Sequence, residues 1–474
     1  MVFNSLTFLL FFLLVLLLHR LPLPWRVKKL NLLLASYLFY ASWNPFYVLL
    51  VCISTCTDFW AAQRMARARG QGIFGRKGWL LLSLAANLGL LSYFKYAGFF
   101  LENFGACCRL LHLAYQPPAW NLVLPVAISF YTFQTLSYSI DVYRGKLKPW
   151  PSFLDYALFV TCFPMLLAGP ITRAGYFLPQ LTAPRQADSR QLGWGFSLLI
   201  LGIFAKNILA DYLLAPVVDQ VFAGADRAQC LEAWVGALGF TAQIFFDFSG
   251  YSSCAIGVGL CLGLALPDNF HFPYAAIGFQ DFWRRWHISL STWLRDYLYV
   301  SLGGNRLGPG RTYLNLMATM LLGGLWHGAS WNFVAWGGLH GAFLVLERFG
   351  RQVAGEARWA EGRIVRLGFG LSTFLLVSLA WIFFKASSFE QAFQLLGPMF
   401  LGGGEGLHLE PGRGLAVLLV TAALFGVHFG LRQTTLEQAA GRLPWWLRAA
   451  ILAGMILALC FSPGDNRAFI YFKF

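Results

Sequence analysis

His327 and His340 lie in LLGGLWHGASWNFVAWGGLHGAF, residues 321–343, a stretch apolar enough to sit in a lipid bilayer. Histidine titrates near neutrality and suits proton abstraction. Desolvation disfavours the imidazolium form and keeps the ring available as a base. Ionisable groups are expensive in membrane segments, which makes them functional candidates there. A lone histidine on an apolar face is more often a satisfied core residue. Here Asn332, Trp326 and Trp336 accompany the pair. On an unbroken helix the two histidines stand about 140° apart around the axis and ~20 Å apart along it, so they do not meet. Either the chain breaks near Gly328-Ala329-Ser330, or each histidine has its own role. This geometry argues against a two-histidine metal site on one helix, and no metal is expected. The glycines of the stretch, among them Gly324, Gly328, Gly337 and Gly341, permit a helix break or close backbone approach. HExxH, Walker A and GxSxG patterns are absent.

A second stretch, FQDFWRRWHISLSTWLRDYLYVSLGG (279–304), places Phe282, Trp286, Leu290, Trp293 and Tyr297 on one helical face. Arg284, His287, Ser291 and Arg295 form another face. The spacing predicts one amphipathic, cationic, aromatic helix ended by Gly303 and Gly304. Such a helix either lies in the headgroup layer or turns His287 and its arginines towards a buried polar cavity that accepts an anionic ligand. Upstream, FFDFSGYSSCAIGVGLCLGLALPDNFHFPY (245–274) carries Asp247 close to Ser249, Ser252 and Ser253, a turn at Pro267-Asp268-Asn269, and His271, read as a solvated interfacial residue.

The elements that must hold these residues are membrane helices. Of 474 residues, 58% are hydrophobic and 12% charged, whereas soluble domains average about 45–50% apolar and about 25% charged. Mean hydropathy is +0.58. The expected fold is an all-α polytopic membrane protein, 1–474 as a single domain, with ten to twelve membrane-embedded helices. Candidate spans are 2–18, 30–57, 79–104, 120–141, 153–171, 194–222, 231–266, 312–328, 330–346, 367–386, 413–431 and 445–461. The net charge of +15 gathers in short loops between apolar runs. The positive-inside rule accounts for that pattern, and nucleic-acid binding is set aside. Nine cysteines show no CxxC pair, zinc spacing or disulfide framework. The first apolar run lacks a basic lead and a cleavage site, so an uncleaved first helix is expected.

Three places in this pattern are ambiguous. Residues 30–57 contain Trp43-Asn44-Pro45 and have basic flanks on both sides, which fits either a broken or re-entrant segment or one kinked helix. Lys95, and Lys206-Asn207 with Asp211, interrupt apolar runs and either snorkel or line a polar cavity. Residues 347–366, rich in arginine and glutamate, read as a cytoplasmic loop, with the Gly-rich 402–413 on the opposite side.

FWRRWHISLSTWLRDYLYVSLGG and LLGGLWHGASWNFVAWGGLHG together resemble the membrane-bound O-acyltransferase (MBOAT) family, in its bacterial polysaccharide branch typified by the membrane subunit of alginate O-acetylation. FYTFQTLSYSIDVYRG (130–145), FPMLLAGPITR (163–173), FFDFSGYS (245–252) and NRAFIYFKF (466–474) extend the resemblance over nearly the whole chain. It implies a helix bundle around a central funnel or tunnel. It implies that His327, in the Trp-His-Gly motif, is the central catalytic residue and that His287, in Arg-Trp-His, is the second. It also implies acetyl-CoA as co-substrate with no permanently bound cofactor, a periplasmic acetyl-accepting partner protein, an exopolysaccharide acceptor, and a multi-pass location in the bacterial inner membrane among its lipids. Acyl transfer from a thioester to a hydroxyl fits a histidine base. Its oxyanion needs donors, for which Asn332 and the indole N–H groups are candidates. Arg284, Arg285 and Arg295 are candidates for the CoA phosphates, and Trp326, Asn332, His340 and Ser291 for the tunnel lining. The alternatives are D-alanyl transfer to teichoic acid or peptidoglycan O-acetylation on the same fold, and, from a different class, a transporter or channel without acyl chemistry.

Overall fold

The computed structural model describes residues 1–68, 75–118, 120, 122–167, 169–353, 362–462, 467, 469 and 470. The described residues are helical throughout their regular structure and contain no strand. Among the described residues, six helices are long and apolar enough to cross a membrane: Pro45–Arg67, Arg76–Leu110, Ser189–Ala223, Cys230–Cys261, Arg363–Lys385 and Pro411–Leu431. The apolar helices Leu6–Arg20 and Trp445–Phe461 are shorter. The chain is thus a multi-pass membrane protein. It divides into two compact units, Met1–Phe196 with Ala255–Pro267, and Ser197–Cys254 with Asp268–Phe474.

In the first unit, residues 30–57 are not one kinked helix. They belong to two helices, Trp25–Ala41 and Pro45–Arg67, and the Asn44 side chain accepts the Phe46 N–H to start the second. Tyr40 and Tyr47, beside the break, both donate to carbonyls of the 123–126 segment. Lys29 bonds Asp155, and Gln63 bonds the Trp150 carbonyl. The helices therefore run antiparallel and bring both basic flanks to the same end, which removes the conflict with the positive-inside rule. Lys95 lies in a π-helical turn, Ser92–Tyr96, and reaches Ser129 Oγ at 3.4 Å.

The second unit holds both histidine motifs. Lys206 does not snorkel. It is buried within the π-helical Ala205–Leu214, where its ammonium bonds Asp211 at 2.9 Å and Asp247. Asp247 also accepts the backbone N–H of Ile470 at 3.0 Å. Pairing inside the protein replaces hydration for the Lys206 ammonium. Residues 347–353 are not loop either, because they complete the helix Trp331–Val353. Of the remaining expected loop, 354–361 lie outside the described residues, as do 466, 468 and 471–474 of the C-terminal motif and Ala168.

Candidate active site

The helix Gly308–His327 ends on its histidine, and Gly328 is extended (φ −164°, ψ 151°). A new helix begins at Trp331. The chain thus breaks at Gly328-Ala329-Ser330, and the two helices pack as an antiparallel hairpin. Glycine makes the approach possible. A Cβ on Gly324 would lie 2.1 Å from the Phe333 carbonyl oxygen, and one on Gly337 would lie 2.3 Å from that of Met320. Side chains at either position would force the helices apart.

The break is the first of the two alternatives that the sequence left open, and it brings both histidines to one indole. His327 sets its ring edge-on to Trp336 with 5.0 Å between centroids, and His340 meets the same indole at 4.8 Å. His340 also lies against Trp283 at 5.1 Å, and Trp336 stacks on Trp381 at 5.3 Å. Both histidines are buried.

The expected single helix over 279–304 is also broken. It consists of Phe279–Arg285, Ile288–Trp293 and the π-helical Leu294–Tyr299. His287 sits at the first break in the left-handed region, φ 44° and ψ 54°. That conformation costs a non-glycine residue on the order of 1 kcal/mol and is held only where its surroundings over-determine it. Asn269 supplies the constraint: its carbonyl accepts the Ile288 N–H at 2.9 Å and its amide oxygen accepts Ser289 Oγ at 2.6 Å. The His287 ring is buried, 4.6 Å from Phe248 and 6.1 Å from Trp326. Trp326 in turn lies 5.0 Å from His327. Burial pushes the His287 pKa down to about 3, so its imidazole is neutral at physiological pH.

Residues outside the two motifs fix this segment. The Glu347 carboxylate accepts the backbone N–H groups of Phe279 (2.6 Å) and Gln280 (3.0 Å). Asp281 accepts the Ile277 N–H and bonds both Arg285 and Arg432. Burial raises the Asp281 pKa, but these hydrogen bonds outweigh it and hold the carboxyl below its ordinary value. His271 is not a solvated interfacial residue: it donates through Nε2 to the Thr434 carbonyl and accepts Arg285 Nη1 at Nδ1. No sequence pattern pointed to Glu347 or Arg432, because each acts on a partner far along the chain.

The other candidates separate. Ser291 Oγ donates to the Trp286 carbonyl at 3.0 Å. Asn332 Nδ2 donates to the Ala386 carbonyl at 2.7 Å and ties its helix to the end of Arg363–Lys385. Arg285 is committed to Asp281 and His271, Arg295 pairs with Asp296 while 63% exposed, and Arg284 is exposed. The three arginines therefore do not share one anion partner. Among the described residues, the buried Nε1 atoms of Trp283, Trp286, Trp336 and Trp381 and both ring nitrogens of His340 have no hydrogen-bond partner. Such groups are costly to bury unsatisfied. Of these groups Trp336 lies beside His327, while Trp283 and Trp381 pack against Trp336 and His340.

The sequence signature of the membrane-bound O-acyltransferase family matches residues 147–358, which include His287 and His327. Over 405 residues the chain is 42% identical to the probable alginate O-acetylase AlgI of Azotobacter vinelandii, covering 85% of this chain and 79% of that one. It is 40% identical over 443 residues to the protein of the same name from Pseudomonas aeruginosa, covering 91% and 82%. It is 38% identical over 409 residues to the peptidoglycan O-acetyltransferase of Helicobacter pylori, covering 81% and 76%.

Proposed function

Because this chain belongs to the membrane-bound O-acyltransferase family, we propose that it takes an acetyl group from cytoplasmic acetyl-CoA across the bacterial inner membrane. A periplasmic acceptor protein then passes the group to hydroxyls of an alginate-like exopolysaccharide. The chain is a membrane O-acyltransferase, and acyl chemistry is favoured over a permeation path. The observation that carries the site assignment is that both motif histidines pack on one indole, His287 and His327 each against Trp326.

In this reading His327 takes the proton of the acceptor hydroxyl as its oxygen bonds to the thioester carbonyl carbon. Negative charge develops on the carbonyl oxygen, and the N–H of Trp336, beside His327, is the candidate donor to it. The carbon–sulfur bond then breaks, and the departing thiolate takes the proton from His327. One ester forms, one thioester is lost and the histidine returns to its neutral state. His287 serves as a second neutral polar group in the same apolar surroundings. His340 supports Trp336 from the other helix of the hairpin. The exposed Arg284 and Arg295 are the candidates for CoA phosphates, because Arg285 is already committed.

The likeness to the Helicobacter pylori protein favours peptidoglycan as the second candidate acceptor. Cells carrying the chain, given labelled acetate, are to be assayed for label on alkali-labile esters of exopolysaccharide and of peptidoglycan. Ester label confined to exopolysaccharide supports the first reading. Label confined to peptidoglycan replaces that acceptor with the second.

A further inference from the structure

We propose that the cleft between helices Leu6–Arg20 and Trp25–Ala41 binds the phosphate of an anionic phospholipid. The cleft is small and open to its surroundings, and it is lined at its polar end by His19, Lys28 and Asn31. Lys28 is 6% exposed and has neither a hydrogen-bond nor an ion-pair partner among the described residues. Both ring nitrogens of the buried His19 lack a hydrogen-bond partner there as well. The carbonyls of Arg185 and Leu262 approach the ring without hydrogen-bond geometry. The neighbouring charges are already used: Lys29 pairs with Asp155, and Arg20 donates to the Ala187 carbonyl. The Lys28 side chain has no counter-charge beside it among the described residues, and an oxyanion would pair with its ammonium together with the imidazole and the Asn31 amide.

The surroundings select a lipid over a free phosphate. The rest of the lining is aliphatic, including Val15, Leu18 and Leu32. Outside the cleft, Leu10, Leu14 and Leu17 on one helix and Leu30, Leu34 and Leu38 on the other are exposed along their lengths. A headgroup phosphate held at Lys28 places its acyl chains along these leucine rows. Arg20, Arg26, Lys28 and Lys29 mark the same end as cytoplasmic by the positive-inside rule. Basic pockets between membrane helices on that side suit anionic headgroups.

The test is native mass spectrometry of the full chain in detergent, with phosphatidylglycerol or phosphatidylcholine added. The wild-type chain should retain phosphatidylglycerol in preference to phosphatidylcholine. Lys28→Gln should lower that retention about fivefold, and Lys28→Arg should restore most of it. Equal retention of the two lipids by the wild type overturns the proposal without reference to any variant. Unchanged phosphatidylglycerol binding by Lys28→Gln also overturns it. So does binding of inorganic phosphate at Lys28 with no lipid preference, which would make the ligand a free oxyanion.

Discussion

The imidazole of His327 stands at 87° to the indole of Trp336, with 5.0 Å between ring centroids. This contact exists because the chain reverses at Gly328 and returns Trp336 to the end of the preceding helix. Under the proposed chemistry the Trp336 N–H stabilises the developing oxyanion. Trp336→Phe keeps an aromatic ring but removes the donor. It should lower kcat about a hundredfold with little change in KM for acetyl-CoA, measured by steady-state transfer of labelled acetyl groups. An unchanged kcat removes Trp336 from the oxyanion role.

The hairpin itself is testable through two adjacent glycines. A Cβ on Gly337 meets the Met320 carbonyl at 2.3 Å, whereas one on Gly338 meets only Leu321 Cδ2 at 3.4 Å, an ordinary contact. Gly337→Ala should destabilise the protein by about 1–3 kcal/mol, and Gly338→Ala should be close to neutral. Thermal unfolding of the two variants in detergent checks the difference.

Glu347 joins the two motifs by accepting the N–H groups that begin the Phe279–Arg285 helix. Glu347→Ala leaves those donors without their acceptor and should cost about 1–2 kcal/mol. It should also lower kcat, because the His287 segment loses its anchor. Glu347→Gln retains an acceptor and should recover much of both. Parallel melting and activity measurements read the two effects separately.

The Asp281 carboxyl is held below its ordinary pKa by Arg432, the Ile277 N–H and Arg285. Its contribution to stability is therefore fully present above the unfolded-state value of about 3.9 and is lost as pH falls through the folded-state value. Asp281→Asn should be less stable than wild type at neutral pH. The gap should close on acidification below about pH 4, and unfolding measured across pH 3–7 tests this.

The sequence displays the parts of this site that depend on local pattern. Apolar runs announce membrane helices, and the Trp326-His327-Gly328 and Arg285-Trp286-His287 motifs carry the family resemblance. It does not display how distant segments override local periodicity. The apolar spacing of Phe282, Trp286 and Leu290 runs straight through the break at His287, because the break is imposed by Asn269. The separation of His327 and His340 held only for an unbroken helix, and glycine removed that condition. Lys206 and Asp211 stand close in the sequence, but the third member of their ion cluster, Asp247, lies 41 residues from Lys206. Glu347 looked like part of a solvated charge run because nothing in that run identifies the N–H groups of Phe279 and Gln280 as its partners.

The most direct test of the account is acetyl transfer from labelled acetyl-CoA by the purified chain carrying His327→Ala, beside wild type and His340→Ala, each shown by its melting profile to be folded. If His327 is the base, His327→Ala loses at least about 10² in kcat, and His340→Ala, which acts through Trp336, loses less. Transfer by folded His327→Ala at the wild-type rate would contradict the assignment of His327 as the base.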